Sequence, residues 1–182
     1  MITTSSRSTS KIGVPSRPSR LTWSLGIPSA RSRYPRVQLA VLQAMRCELF
    51  EWRVEARGRL AELIVLDQFS RNMFRGSPQA FASDTLALAL AQEAIAAGAD
   101  AALSPTERSF LYLPFMHSES PAIHTIAVEL YRRNGIQSNL DFEIRHQKII
   151  ERFGRYPHRN AILGRQSTEQ ENEFLKQPGS RF

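Results

Sequence analysis

The sequence predicts an all-α fold, made of antiparallel helix hairpins packed as a bundle or a short α-solenoid. From residue 57 onward, apolar residues recur at intervals of three and four, which is typical of helices that bury one face. Helix-start and helix-stop residues divide this region into segments of about ten to seventeen residues. No segment alternates apolar and polar residues over the length of a strand. Helices of this length joined by short turns favour antiparallel neighbours.

The chain divides into two regions of different composition. Residues 1–36 are rich in Ser, Arg, Pro and Thr and lack helical periodicity, so we predict a basic, disordered tail. Because this stretch contains no acidic residue, it is also similar to an organelle transit peptide. Residues 37–182 are predicted to form a single all-α domain, which is long enough to bury a core.

The net charge of +7 originates in the N-terminal part of the chain. Residues 1–46 hold eight basic residues and no acidic residue, whereas residues 47–182 hold 16 of the 24 basic residues and all 17 acidic residues. The predicted folded part is therefore nearly neutral, and none of its predicted helices carries a basic stripe interleaved with aromatic residues. We expect no nucleic-acid partner for this part.

Several other classes of protein are excluded by simple sequence features. No apolar run approaches the ~20 residues that cross a membrane, so no membrane span is expected. Cys47 is the single cysteine, which rules out an internal disulfide framework and fits a reducing, cytoplasmic location. There is no Gly-rich phosphate loop, nucleophile elbow or Cys cluster, and we predict no cofactor. A lone cysteine is a poor indication of a nucleophile.

Helix signals continue along the N-terminal half of the chain. Apolar spacing predicts a helix over residues 37–52 and a second over residues 58–73. Ser77 and Pro78 precede a third helix, which Gly98 closes.

Stronger boundary signals follow. Ser104 and Glu107 form a capping box around Pro105, which opens a helix. Pro114 lies inside the apolar run of that helix and removes one amide donor, so a kink or a helix end is expected nearby. Pro121 opens the next helix, which ends in a basic turn and a glycine cap.

Three further helices are predicted before the end of the chain. Asn139 or Ser138 caps a helix that ends at Gly154. Pro157 opens a short helix, and Thr168 lies in the cap of the last one.

One apolar helix contains a charged pair. Leu60, Leu63, Ile64 and Asp67 are spaced i, i+3, i+4 and i+7, so Asp67 falls on the apolar stripe, and Arg71 follows one turn later. One interpretation is a buried ion pair that fixes the register of the helix. The other is a carboxylate–guanidinium edge of a cleft, and it stays open because buried ion pairs stabilise poorly compared with apolar replacements.

A second polar cluster, His117, Ser118 and Glu119, lies at a predicted helix junction. It can supply caps and turn hydrogen bonds, or it can perform acid–base chemistry. The spacing is not that of a helical metal pair, and we predict no metal site. Catalytic residues cannot be assigned from the pattern, but His117, Glu119 and Asp67 are the candidates.

Histidines mark two more positions. His158, Arg159 and Asn160 occupy the first turn of the helix predicted after Pro157, where free amides and a guanidinium favour an anion. Local capping is the alternative. His146 falls on the apolar stripe of its helix, where a hydrogen-bonded core residue is the more frequent finding and a ligand-binding residue the alternative.

Several long motifs resemble those of the bacterial family called domain of unknown function 924. They read LAELIVLDQFSRNMFRGSPQAFASD, RSFLYLPFMHSES and RFGRYPHRNAILGR, and the ending TEQENEFLKQPGSRF is also similar. The resemblance covers about residues 48–182. It implies an all-α domain similar to tetratricopeptide-repeat (TPR-like) folds, and it implies no established activity.

The residues that match the family's motif positions are polar. They are Asp67, Gln68, Arg71, Asn72, His117, Ser118, Glu119, His158, Arg159 and Asn160. Residues 1–46 depart from the family, whose members begin with acidic residues and a helix containing Trp or Phe. Either this tail is an addition to the family's pattern, or the reading frame differs upstream of about Met45.

Two classes of function follow from these clusters. The first is a binding domain whose groove takes a peptide or a small anionic ligand. Its predicted ligand-binding residues are Arg71, Asn72, Ser118, His158, Arg159 and Asn160. The alternative is a small-molecule hydrolase that uses His117 and Glu119 as acid–base groups. Because two helices separate residues 117–119 from residues 158–160, antiparallel packing predicts that the two clusters lie close together.

Overall fold

Helices provide the regular structure of residues 35–181, the part of the chain that the computed structural model describes, and no β-strand occurs among them. This confirms the all-α prediction, whereas the TPR-like arrangement stays a prediction. The predicted tail, residues 1–36, lies outside the described residues except for its last two, which begin the first helix.

The first helix is shorter than predicted. Helix α1 spans Pro35–Met45, and Cys47 beyond it has a left-handed backbone conformation with a φ of 56°. A helix cannot continue through this conformation, so the predicted helix over residues 37–52 is wrong beyond Met45. Residues 46–49 form turns, and a 3-10 turn, Phe50–Val54, follows them.

The second predicted helix forms with one irregularity. Helix α2 spans Ala56–Ile64, and it passes through a π-helical turn, Val65–Phe69, into helix α3, Ser70–Met73. A π-helical turn carries i→i+5 hydrogen bonds and is often found at functional sites. The apolar periodicity gave no sign of this turn.

The third predicted helix is divided. Pro78–Phe81 forms a 3-10 turn, and helix α4 begins only at Asp84 and spans Asp84–Ala96. Gly98 closes it with a φ of 72°, as predicted. The buried face of α4 is made of Ala87, Ala91 and Ala94, whose small side chains allow close contact with α2.

Proline and capping residues set the boundaries of the next two helices. Helix α5 spans Pro105–Leu111, and Ser104 and Glu107 form the predicted capping box. Helix α6 spans Leu113–Met116 and has Pro114 at its second position. The interruption between α5 and α6 confirms the helix end expected near this proline.

A long hairpin follows. Helix α7 spans Pro121–Asn134, and helix α8 spans Gln137–Phe153. Gly135 caps α7 with a φ of 80°, which leaves a connection of Gly135 and Ile136. The predicted cap of α8 at Ser138 or Asn139 is wrong, because the helix already begins at Gln137.

The last segment contains a further correction. The helix predicted after Pro157 is only a 3-10 turn, Pro157–Arg159. Helix α9 spans Glu169–Phe174, with Thr168 in a capping box. Arg155 donates two hydrogen bonds, of 2.7 and 2.8 Å, to the carboxylate of Glu171, and these bonds hold the pKa of Glu171 at about 2. This ion pair attaches the start of α9 to the end of α8.

The core consists of one large apolar cluster and one small one. The large cluster joins α1, α2, α4, α5, α6 and α7, and its fully buried side chains include Val41, Leu63, Leu66, Leu111 and Tyr131. The small cluster contains Ile149, Ile150 and Tyr156. Within residues 35–181, no helix has both the length and the apolar character needed to cross a bilayer.

A close backbone contact requires glycine at position 58 in α2. A Cβ atom on Gly58 would lie 1.9 Å from the carbonyl oxygen of Trp52. That oxygen belongs to the backbone, so relieving the clash would displace the 3-10 turn, Phe50–Val54, from α2.

We therefore expect Gly58→Ala to lower the free energy of unfolding by roughly 1–3 kcal/mol, the usual cost of overpacking. Helix propensity alone would predict the opposite sign, because alanine is about 1 kcal/mol more favourable than glycine in a helix. Urea denaturation measures the change. Ala89→Gly, at an exposed position of α4, provides the reference for propensity alone. A Gly58→Ala variant as stable as the wild type would contradict the contact.

Candidate functional site

Asp67, in the π-helical turn, is a buried carboxylate with several partners. Its Oδ1 atom accepts hydrogen bonds from Nδ1 of His117 at 2.7 Å and from Nη2 of Arg71 at 3.1 Å. Its Oδ2 atom accepts one from the amide of Gln68 at 2.5 Å. Burial alone would raise the pKa of Asp67, but His117, Arg71 and Gln68 together hold it well below its usual range. The predicted contact between Asp67 and Arg71 is confirmed.

The ionised state of Asp67 determines the tautomer of His117. A carboxylate only accepts hydrogen bonds, so Nδ1 of His117 carries the proton that is donated to Asp67. In the neutral ring, Nε2 is then an acceptor. It has no hydrogen-bond partner among the described residues, and His117 lines a cavity.

A chain of ion pairs extends from this carboxylate to the C-terminal segment. Arg71 donates to Asp84 Oδ1 at 2.9 Å, and Arg159 donates to Asp84 Oδ2 at 3.2 Å. Burial raises the pKa of Asp84, and the two guanidiniums oppose this effect. Asp84 was not among the predicted site residues, since an acidic residue in the first turn of a helix usually only complements the helix dipole.

Aromatic rings cover the guanidinium of Arg159. Its Cζ atom lies 4.7 Å from the ring centre of Phe81 and 4.6 Å from that of Tyr156. Arg71 also lies over Phe81, at 5.3 Å. These cation–π contacts fix both arginines in place.

The backbone that carries His117 is held by three side chains. The carbonyl oxygen of Met116 accepts from the hydroxyl of Tyr156 at 2.5 Å. The carbonyl oxygen of His117 accepts from Arg159 at 3.0 Å, and that of Ser118 accepts from Nε2 of His124 at 2.8 Å. Three consecutive carbonyl groups at the end of α6 are therefore each held by a hydrogen bond. This restrains the backbone of His117 and so the position of its ring.

His124 belongs to a second imidazole–carboxylate pair, which the sequence analysis missed. Its Nδ1 atom lies 2.6 Å from Oε1 of Glu143, and both side chains are fully buried. Burial raises the pKa of Glu143. A signal was present in the sequence, because His124 shares an inward stripe with Ala127 and Tyr131, at i+3 and i+7.

Glu119, which follows α6, binds two residues of the C-terminal segment, Tyr156 and Arg165. Arg165 donates two hydrogen bonds to its carboxylate, at 2.6 and 2.9 Å, and the backbone amide of Tyr156 donates a third at 2.8 Å. Although burial raises the pKa of Glu119, these donors outweigh that effect and lower it. A carboxylate engaged in this way is a poorer acid–base candidate than His117.

The predicted clusters at 117–119 and 158–160 lie together, as the hydrogen bonds of Arg159 to His117 and of Tyr156 to Glu119 confirm. A three-residue 3-10 turn replaces the helix predicted to begin at Pro157, so residues 158–160 do not form the first turn of a helix, and their binding of an anion stays a prediction. Burial lowers the pKa of His158 to about 4, which keeps that ring neutral at pH 7.

The remaining candidates lie away from the cavity. Asn160 is fully buried and donates to the hydroxyl of Ser167 at 3.0 Å. Asn72 is exposed and accepts from Arg75 at 3.1 Å. His146 is a buried core residue that donates to the carbonyl oxygen of Phe142 at 2.8 Å. Among residues 35–181, no three His, Cys, Asp or Glu side chains are grouped closely enough to hold a metal ion.

A cavity of about 320 Å³ opens beside His117. Its wall is largely apolar, and polar groups occupy one part of it. The lining residues are Pro78, Phe81, Ala82, Asp84, Thr85, Leu88, Pro114, His117, Ser118, Glu119, Arg159 and Leu163. An apolar enclosure with a few convergent polar groups is typical of small-molecule sites.

The restraint on the His117 backbone can be tested at Tyr156. We expect Tyr156→Phe to leave the carbonyl of Met116 without this donor, to cost about 1–3 kcal/mol of stability, and to speed exchange of the Nδ1 proton of His117 with water. Nuclear magnetic resonance of the imidazole measures that exchange. Tyr112→Phe is the control, because that hydroxyl donates to Asp100 at 3.1 Å, away from the cavity. Equal exchange in both variants would refute the restraint.

Comparison with known proteins agrees with the all-helical architecture. Residues 30–179 match the model of a family described as bacterial protein of unknown function (DUF924). The chain is 43% identical to a protein of unknown function, ATU0120 from Agrobacterium tumefaciens, whose solved structure superposes with a TM-score of 0.75. That likeness covers 79% of this chain and 81% of the other. No curated protein matches the chain. The family match spans most of the sequence, and the chain therefore belongs to the DUF924 family of bacterial proteins.

Proposed function

We propose that the protein binds a small molecule in the cavity beside His117, with Nε2 of His117 as its central polar contact. The observation that carries this proposal is the 2.7 Å hydrogen bond from Nδ1 of His117 to the buried carboxylate of Asp67. It fixes the ring and leaves the second nitrogen available at the cavity. Such second-partner hydrogen bonds orient imidazoles in many binding and catalytic sites.

The size of the cavity supports a small molecule rather than a peptide. Its volume of about 320 Å³ lies at the lower end of the roughly 300–1,000 Å³ typical of small-molecule pockets. The anionic ligand that the sequence predicts would depend on Arg159. That guanidinium already donates to Asp84 and to the carbonyl of His117, and it is buried between two rings. The geometry therefore supports a small ligand, and it gives little support for a negative charge on that ligand.

A cavity-filling variant tests the proposal. Ala82 lines the cavity and lies outside the buried core, so Ala82→Trp is expected to occupy the space without disturbing the core. We expect fragments that bind the wild-type protein, detected by ligand-observed nuclear magnetic resonance, to lose at least tenfold in affinity for this variant.

Ala89→Trp is the matched control, because Ala89 is exposed on α4 and does not line the cavity. Retained binding in Ala89→Trp together with loss in Ala82→Trp would support the proposal. Fragments that bind both variants equally well, or a fragment library that yields no binder to the wild type, would count against it.

A second candidate is a hydrolase in which His117 acts as general base and Asp67 orients it. The same hydrogen bond favours this function, because an imidazole held by an ionised carboxylate is the usual arrangement of a general base. Glu119, the other predicted acid–base group, is engaged by Arg165 and contributes less to this proposal.

The hydrolase proposal predicts that His117→Gln reduces hydrolysis of a responsive ester or amide by roughly 10²-fold or more, the usual contribution of a general base. Release of nitrophenol or nitroaniline from a substrate panel measures the rate. Thr85→Val is the control, because Thr85 lines the same cavity and carries no titratable group. A rate in His117→Gln equal to that of the wild type would exclude His117 as the base.

A further inference from the structure

The polar part of the cavity has an unequal supply of hydrogen-bond donors and acceptors. Among the described residues that line it, the charged groups are the carboxylates of Asp84 and Glu119 and the guanidinium of Arg159. These are two carboxylates and one guanidinium. Arg71 pairs with Asp84 and Arg165 pairs with Glu119, but neither arginine lines the cavity.

The guanidinium of Arg159 is hidden from a ligand. Only 6% of its side chain is exposed, and the rings of Phe81 and Tyr156 lie over it. Its two terminal nitrogens each donate one hydrogen bond, to Asp84 and to the carbonyl of His117, and its Nε–H is buried without a hydrogen-bond partner among the described residues. Arg159 therefore supports the architecture of the site more than it offers donors to the cavity.

The acceptors remain open. The exposed fractions of the side chains are 19% for Asp84, 26% for Glu119 and 15% for His117. Each oxygen of Asp84 accepts one hydrogen bond from an arginine and keeps a second lone pair. Oε2 of Glu119 accepts from Arg165 and likewise keeps a lone pair, and Nε2 of His117 is an acceptor in the neutral ring.

From this accounting we propose that the cavity selects a ligand with an apolar body and a protonated amine. Carboxylate oxygens and Nε2 of His117 would accept the N–H groups of the ammonium, and the wall of Phe81 and Leu88 would enclose the apolar body. An anion of the same size would face two carboxylates and few open donors. This inference rests on the proposed function, because it specifies the chemical class of the small molecule bound there.

Three probes that share one apolar body test the inference. Benzylamine, benzyl alcohol and benzoate differ in whether the polar group is a cationic donor, a neutral donor or an anion. They are titrated into the full chain at pH 7, and ¹H–¹⁵N spectra report the shifts of the backbone amides of Asp84, Thr85 and Ser118. We expect benzylamine to bind at least tenfold more tightly than either of the other probes.

Two variants connect this preference to the acceptors. Asp84→Asn is expected to weaken benzylamine about tenfold and to leave benzyl alcohol nearly unchanged. Because Asp84 also pairs with Arg71 and Arg159, Glu119→Gln provides a second variant at a different acceptor, with the same expected direction. Thermal unfolding of each variant verifies that it is folded.

Each outcome is decisive for the ligand class. Tightest binding by benzylamine, weakened in either folded variant, supports it. Equal or tighter binding of benzyl alcohol or benzoate overturns it, and so does the absence of binding by all three probes. The proposed function is judged separately by the fragments that respond to Ala82→Trp. A site that binds fragments but does not prefer an ammonium would therefore leave the proposed function standing.

Discussion

An ionised carboxylate removed from water is the constraint on which the site and its surroundings depend. Leaving one partner of a buried ion pair uncompensated costs roughly 3–5 kcal/mol, so Asp67 requires His117 and Arg71 to approach it. The ion pairs continue from Arg71. Arg71 also donates to Asp84 at the start of α4, and Asp84 accepts a further hydrogen bond from Arg159. The ion-pair chain thus positions four separate segments around one cavity.

The residues of the ion-pair chain that were predicted share a local signal in the sequence. Helical spacing alone places Asp67 on a buried stripe and Arg71 within its reach, and the same logic places His146 inward. Asp84 was missed because its partners lie 13 and 75 residues away along the chain. Local periodicity contains no information on which distant arginine an acidic residue will meet. Most of the fold could thus be predicted, since caps, glycines and prolines act locally. The polar residues 117–119 and Arg159 of the cavity lining were also predicted, whereas Asp84 and the apolar part of the lining could not be.

Two errors have distinct physical origins. The 157–159 segment satisfied the local rules for a helix start, but tertiary contacts overrode them, because Tyr156 and Arg159 are both turned inward to hold the backbone around His117. His124 and Glu143 were overlooked although their helical spacing marks them as inward-facing. There the local spacing was sufficient to identify them. In both cases, buried polar side chains form hydrogen bonds that hold other parts of the structure in position.

The π-helical turn Val65–Phe69 has a consequence for how this family can vary. A π turn winds one residue more than an α-helical turn into nearly the same rotation, so α2 and α3 keep their phase on either side of it. Deleting one residue there would restore a regular α-helix and leave the apolar stripe of α2 facing the core. The side chains inside the turn, Asp67 among them, would take new angular positions relative to His117. A homologue one residue shorter at this place would thus keep the helical scaffold while the carboxylate–imidazole geometry changed.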